Sequence, residues 1–271
     1  MSRDLIDGSP PTERLRSTSG EQLPVRLWLP PAQTSPRRIV VALHGMVTHS
    51  GWFAPLAELL TAQGLALLAP DRRGNGWAQQ LRDPGNIELL LSDVDVAVAR
   101  ARQLCDDVTL LSWCGSANFA VLAAARLPIA RFALASPGLV PLPAMSARLR
   151  VSEPMDEDGA FLPVHFDPAS DFTDDETTRC AIRGDALTLR RIPLALRETW
   201  RQLNPRARQA LATLPLPTRC VLTRVDRMLD VPATLELLAA AGIPVRWAEG
   251  GHGFVVEPAG ARAVAHLLGA P

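Results

Sequence analysis

The sequence predicts an α/β fold, a doubly wound and mostly parallel sheet with an inserted helical cap. Short apolar runs bounded by turn signals alternate with helical patterns, which favours parallel strands joined by crossover helices. The run at residues 38–43, RIVVAL, is apolar and β-branched through most of its length, as expected of a strand covered on both faces. A proline-rich segment with the acidic run FDPASDFTDDE breaks the rhythm, which then resumes. Residues 1–139 and 215–271 are therefore assigned to the core and 140–214 to an inserted cap.

Strands are expected at 24–29 and 38–43, followed by a helix over about 53–63 that stops at Gly64, a favourable C-cap. LALLAP is a strand ending in the turn DRRGNG. Residues 86–104 carry Ile87, Leu90, Leu91, Val94 and Val98 near helical spacing. VTLLSW is a strand, SANFAVLAAAR a helix rich in small residues, and RFALASPG a strand. Within the cap, helices are expected around 187–196 and 198–211. After it come the strand RCVLTRVD, the helix VPATLELLAAAG, the strand PVRWAEGG and a terminal helix.

Composition narrows the function. With 271 residues, 47% of them hydrophobic, the chain can bury a substantial core. The formal net charge is zero, so nothing points to a nucleic-acid partner. All 28 basic residues are arginine and tyrosine is absent, a bias expected from a GC-rich bacterial genome. No apolar run has the length of a signal peptide core or a membrane span, so a cytoplasmic protein is expected. The four cysteines form no CxxC pair and no Cys/His cluster, which implies neither a structural metal nor a cofactor.

The sharpest feature is Ser112-Trp113-Cys114-Gly115-Ser116 between a strand and a helix. In a nucleophile elbow the reactive side chain sits on a tight strand-to-helix turn, with small residues two positions to either side. Ser112 and Ser116 meet that demand for Cys114. The rival serines fit less well. Ser112 as nucleophile would put bulky Leu110 at a small position, and Ser116 would need Asn118 there. The helix beginning beyond Cys114 turns its N-terminus toward the sulfur, which favours a thiolate. Cys105, Cys180 and Cys220 carry no motif and read as packing residues.

A cysteine nucleophile needs a histidine base, and the base an orienting acid. Of His44, His49, His165, His252 and His266, His252 lies in the glycine-rich loop EGGHGF after a late strand, and His266 lies mid-helix. Asp226 directly follows the strand RCVLTRV and is the preferred acid over Asp230, whose place before Val-Pro and a helix suits an N-cap. Backbone N–H groups of Met46, after the His44-Gly45 turn, and of Gly115 are the expected oxyanion donors. His44 is read as structural, the run 71–76 as a brace below the site, and Trp113 as lining the substrate pocket or packing on the sheet.

The stretch LHGMVTHSGWFAPLAELLTAQGLALLAPDRRGNG resembles the opening of α/β-hydrolases of the monoacylglycerol lipase and lysophospholipase type, the serine aminopeptidase-like branch. The matching positions are His44, Gly45, His49, Ser50, Asp71, Arg73, Gly74 and Gly76. VDRMLD and GGHGF resemble that family's acid and histidine loops, which implies those roles for Asp226 and His252. The departure is S-W-C-G-S in place of G-x-S-x-G, with Cys114 where the serine belongs. The resemblance implies a triad enzyme acting on a small-molecule ester, thioester or lactone, free or bound to CoA or a carrier protein. With cysteine as nucleophile, hydrolysis, transfer and cyclisation all stay open. The alternative is a non-catalytic small-molecule-binding protein on the same fold.

Overall fold

A computed structural model describes residues 5–31, 35–81, 86–145, 161–164 and 166–269. Strands β1 (Glu13–Arg16) and β2 (Gln22–Trp28) form an opening hairpin. The chain continues through β3 (Ile39–Leu43), α1 (Ala54–Thr61), β4 (Ala66–Pro70), α2 (Ile87–Arg102), β5 (Val108–Trp113), α3 (Ala117–Ala124) and β6 (Arg131–Ala135). It then leaves the sheet for β7 (Phe161–Pro163), α4 (Pro168–Asp171), α5 (Glu176–Gly184), β8 (Arg191–Pro193) and α6 (Leu194–Leu211). It returns for β9 (Thr218–Thr223), α7 (Val231–Ala240), β10 (Val245–Ala248) and α8 (Pro258–Leu267). The main sheet runs β1-β2-β4-β3-β5-β6-β9-β10. Strand β2 is antiparallel to both neighbours, and every pair from β4 through β10 is parallel.

Alternation along the strands divides the core in two. Val40, Ala42, Leu111, Trp113, Ala133 and Ala135 face one layer, while Ile39, Val41, Leu110, Phe132 and Leu134 face the other. This period of two is what a pleated strand buried on both faces requires. Helices α1 and α8 cover the first layer and α2, α3, α6 and α7 the second. Expected caps are present. Gly64 takes φ +74 after α1, and Asp230 caps α7 by accepting from Ala233 N at 3.0 Å.

The inserted segment departs from its expected helices. Residues 191–193 are extended and pair with β7, and one helix, α6, covers 194–211. Pro193 accounts for the break, because the residue before a proline is pushed out of the helical region. Strands β7 and β8, at three residues each, are too short to show a period. Helix α6 also does more than cover the sheet edge. Leu196, Trp200, Leu203, Ala207 and Leu211 form one stripe at helical spacing and belong to the same packed layer as α3.

One carboxylate ties this segment to the sheet. Asp185, at the end of α5, accepts from His49 Nε2 (3.0 Å), Trp52 Nε1 (3.2 Å), Thr188 Oγ1 (2.5 Å) and Leu187 N (3.0 Å). His49 Nδ1 accepts from Gly51 N, so the ring proton sits on Nε2 and points at Asp185. Burial would raise the Asp185 pKa, but the hydrogen bond from His49, joined by those from Thr188 and Leu187, outweighs it and holds the carboxyl at about 2. Its stabilisation is complete above the ordinary carboxylate range and disappears as pH falls through about 2. Asp185→Ala should lower the unfolding free energy at neutral pH by about 3 kcal/mol, measured by urea denaturation, because buried donors lose their acceptor.

Candidate active site

Strand β5 ends at the sharp turn that the SWCGS motif anticipates. Cys114 has φ 59, a left-handed conformation that a side chain adopts only when its surroundings impose it. A short 3-10 turn, Cys114–Ser116, leads into α3. Ser112 and Ser116 share a hydrogen bond of 2.7 Å, and Ser116 Oγ also donates within reach of Leu43 O and Trp113 O. Both hydroxyls are buried and committed to backbone and each other. Cys114 is half-buried and lines an open cavity. Gly45 allows the neighbouring loop to approach, since a Cβ there would stand 3.1 Å from Cys114 Cβ and 3.4 Å from its Sγ.

His252 lies beneath Cys114, fully buried. Its Nδ1 bonds to Asp226 Oδ2 at 2.8 Å and Oδ1 at 3.0 Å, so that nitrogen carries the proton. Asp226 Oδ1 also accepts from Met228 N (2.8 Å) and Leu229 N (3.1 Å), the turn that follows β9. Nε2 completes no full hydrogen bond, yet it is close enough to Cys114 for that side chain to act on its protonation. Burial alone would lower the His252 pKa. The Asp226 charge, then Cys114, reverse this and raise it to about 10. Burial likewise opposes the charge of Asp226, and His252 outweighs it, so the carboxyl stays below its ordinary value. Ser136, itself at φ 37 just past β6, adds to that hold without closing a full hydrogen bond.

The histidine loop is pinned from the inserted segment. Gly253 N donates to Phe172 O at 2.8 Å, and a Cβ on Gly251 would come within 2.4 Å of the same oxygen. Only glycine admits that approach. The Phe172 ring meets the imidazole edge-on at 4.9 Å.

A planar trans peptide points its C=O and N–H in opposite directions. His44 Nε2 accepts from Arg72 N at 2.9 Å, so its proton is on Nδ1 and is donated to Gly45 O at 2.9 Å. The Gly45–Met46 peptide is thereby held by its carbonyl, which fixes the direction of Met46 N–H. Burial drives the His44 pKa down to about 3, so the ring is neutral. The run 71–76 braces this loop as expected. Arg72 (3.1 Å) and Asn75 (2.9 Å) both donate to Met46 O, and Asp71 accepts from Ser50 N and Trp77 N.

A cavity of about 650 Å³ opens above Cys114, with Met46 and Gly115 on its wall. Met145, Phe166, Phe172 and Met228 make much of the lining apolar, with Asn118, Asn204 and Arg201 as polar members. Trp113 is not on that wall. It is fully buried behind the site, tilted against Trp52 with ring centroids 5.5 Å apart, and its indole N–H donates to His252 O at 3.2 Å. The reason is strand alternation, which turns residue 113 into the layer beneath the sheet while the turn carries Cys114 outward. His266 is in the last turn of α8, away from these residues, and His165 lies outside the described residues. Sequence reasoning missed Trp200 and Asn204, which reach the cavity from α6.

Residues 34–266 match the family described as Serine aminopeptidase, S33. The chain belongs to that family. No curated protein sequence matches it. Among solved structures it is similar to a monoacylglycerol lipase of Paleococcus ferrophilus, at 18% identity and TM-score 0.73, over 92% of this chain and 97% of that one. A soluble variant of monoglyceride lipase from Saccharomyces cerevisiae, bound to a substrate analog, aligns at 11% identity and TM-score 0.79, over 96% and 95% of the two chains. An enol-lactonase from Burkholderia xenovorans aligns at 17% identity and TM-score 0.68, over 94% and 99%. The likeness establishes the α/β-hydrolase fold. Among the described residues no helix is long and apolar enough to cross a membrane.

The raised pKa of His252 sets a pH window. Its contribution to stability is full below the ordinary histidine value and is lost as pH climbs through about 10. In Asp226→Asn the burial remains and the opposing charge is gone. The imidazole titration, followed by NMR of the ring protons, should move to lower pH by about 1–3 units.

Proposed function

We propose that the protein is an acyl-transfer enzyme that attacks an ester, thioester or lactone with Cys114 and carries the acyl group as a thioester. At the coarser level this is lipase- or esterase-type chemistry, which family membership and the names of the structural neighbours support. The observation that carries the finer reading is the buried Asp226–His252 pair with its free ring nitrogen next to Cys114. The buried, mutually bonded hydroxyls of Ser112 and Ser116 support cysteine over either serine.

The proposed reaction begins with the Cys114 proton on His252 Nε2. Sulfur attacks the substrate carbonyl carbon, and the oxygen takes the negative charge against Met46 N–H and Gly115 N–H. Each such donor contributes about 3 kcal/mol to lowering the barrier. Collapse breaks the bond to the leaving group, which receives the proton from His252. Water, an amine or a thiol then attacks the thioester, giving its proton to His252, and the departing sulfur takes that proton back. Asp226 holds the imidazole in the Nδ1–H tautomer and stabilises its charge throughout. The apolar wall suits a small-molecule acyl group, free or bound to CoA or a carrier protein.

Intact-mass measurement after exposure to an activated ester tests this reading. The native protein should gain one acyl mass, Cys114→Ala none, and His252→Ala should acylate slower by about 10²–10⁴-fold. An adduct of equal extent on Cys114→Ala would overturn the assignment. Adding an amine or thiol acceptor then separates transfer from hydrolysis by product.

A further inference from the structure

The cavity wall holds a hydrogen-bond donor that no described residue satisfies. Trp200 is 7% exposed, lines the cavity, and its Nε1–H has no acceptor. The ring is held in place. The Arg72 guanidinium stands 5.3 Å from its centroid on one face, and Cζ2 lies 3.1 Å from where a Cβ on Gly115 would be. Cζ2 and Nε1 are bonded to the same ring carbon. The ring turns its Cζ2–Cη2 edge, the latter at 3.4 Å, to the residue after the nucleophile, and the N–H lies two bonds from Cζ2 along the rim. A buried N–H with no acceptor is destabilising, and native proteins rarely leave one unless something else completes it.

Asn204 stands one helical turn further along α6, on the same face. Its Nδ2 donates to Asn118 Oδ1 at 2.8 Å and Leu139 O at 3.0 Å. Asn118 Nδ2 in turn donates to Gly115 O and Gly138 O, so backbone carbonyls fix the orientation of both amides. The Asn204 amide thus turns its nitrogen to the protein and leaves Oδ1 as its end for a ligand, at the cavity that the residue lines. Helix α6 offers a neutral donor and a neutral acceptor four residues apart, beside Arg197, Glu198 and Arg201, in a cavity whose remaining lining is mostly apolar. A hydroxyl group is a donor and an acceptor at once, whereas a keto oxygen would use only the Trp200 half.

We propose that Trp200 Nε1–H and Asn204 Oδ1 together bind a hydroxyl on the acyl group, near the scissile carbonyl, so that the site selects 3-hydroxyacyl over plain alkanoyl substrates. This rests on the acyl-transfer reading for which carbonyl is attacked, but the binding is measurable without turnover. Ethyl 3-hydroxyoctanoate and ethyl octanoate are titrated into Cys114→Ala protein by calorimetry. The hydroxy ester should bind about tenfold tighter, the reach of one or two neutral hydrogen bonds. Trp200→Phe, which keeps a ring and removes the N–H, should abolish most of that preference in the same background.

Equal affinity for the two esters in the unaltered pocket would overturn the proposal, and so would a preference that survives Trp200→Phe. With Cys114 intact, an equal fall in kcat for both esters in Trp200→Phe would mean that the N–H serves the oxyanion, again overturning it. Turnover of either ester by Cys114→Ala would count against the nucleophile assignment instead. The KM ratio of the two esters would then decide the hydroxyl site separately.

Discussion

The buried contact between Asp226 and His252 is the constraint on which the site is arranged. A carboxylate with a side chain only 1% exposed stays ionised because an imidazole and two backbone N–H groups compensate its lost hydration. Each partner supplies what the other lacks. The turn after β9 presents Asp226, and the glycine-rich loop after β10 lets the imidazole reach beneath the turn at Cys114. Trp113 and Phe172 close the space around the ring, so His252 has no water path on those sides and keeps its orientation. A serine-type triad and a cysteine-type triad would both use this pair. What differs is the atom above it, and the chain presents sulfur there.

The loop that carries Met46 is held with comparable care, by residues far apart in sequence. His44 holds the carbonyl before Met46, Arg72 and Asn75 hold the one after it, and Leu189 N bonds to Val47 O at 2.8 Å. The inserted segment therefore does not merely cover the pocket. Through Leu189 and the Asp185–His49 bond it is fastened to the loop that carries Met46, and through Phe172 to the loop that carries His252. Helix α6 adds a packed face against α3 and brings Trp200 to the same place. Pre-organised N–H groups act strongly on a developing charge only if they do not reorient when it forms, and this bracing supplies that rigidity.

The parts legible in the sequence are those governed by local rules. Strand β5, the small residues flanking Cys114 and α3 follow from patterning and turn sterics. Asp226 and His252 follow from their places in the loops after late strands, and the bracing role of the run 71–76 from its charge and turn residues. What was not legible depends on distant pairing. Asp185 meets His49 across 136 positions, and no periodicity marks either residue. Trp200 and Asn204 sit in a helix whose stripe reads as ordinary core, so their reach into the cavity emerges only once α6 is seen against α3. For Trp113 the sequence leaves pocket lining and packing on the sheet both open, and strand alternation turns it into the packed layer beneath Cys114.

The central claim is that the acyl group passes through sulfur. Its most direct test is carbon NMR of the protein trapped with an ester labelled at the carbonyl carbon, under conditions where deacylation is slow. A protein-bound carbonyl resonance in the thioester region, absent from Cys114→Ser, is the predicted result. A resonance in the oxygen-ester region in the native protein, retained when Cys114 is replaced by alanine, would contradict it.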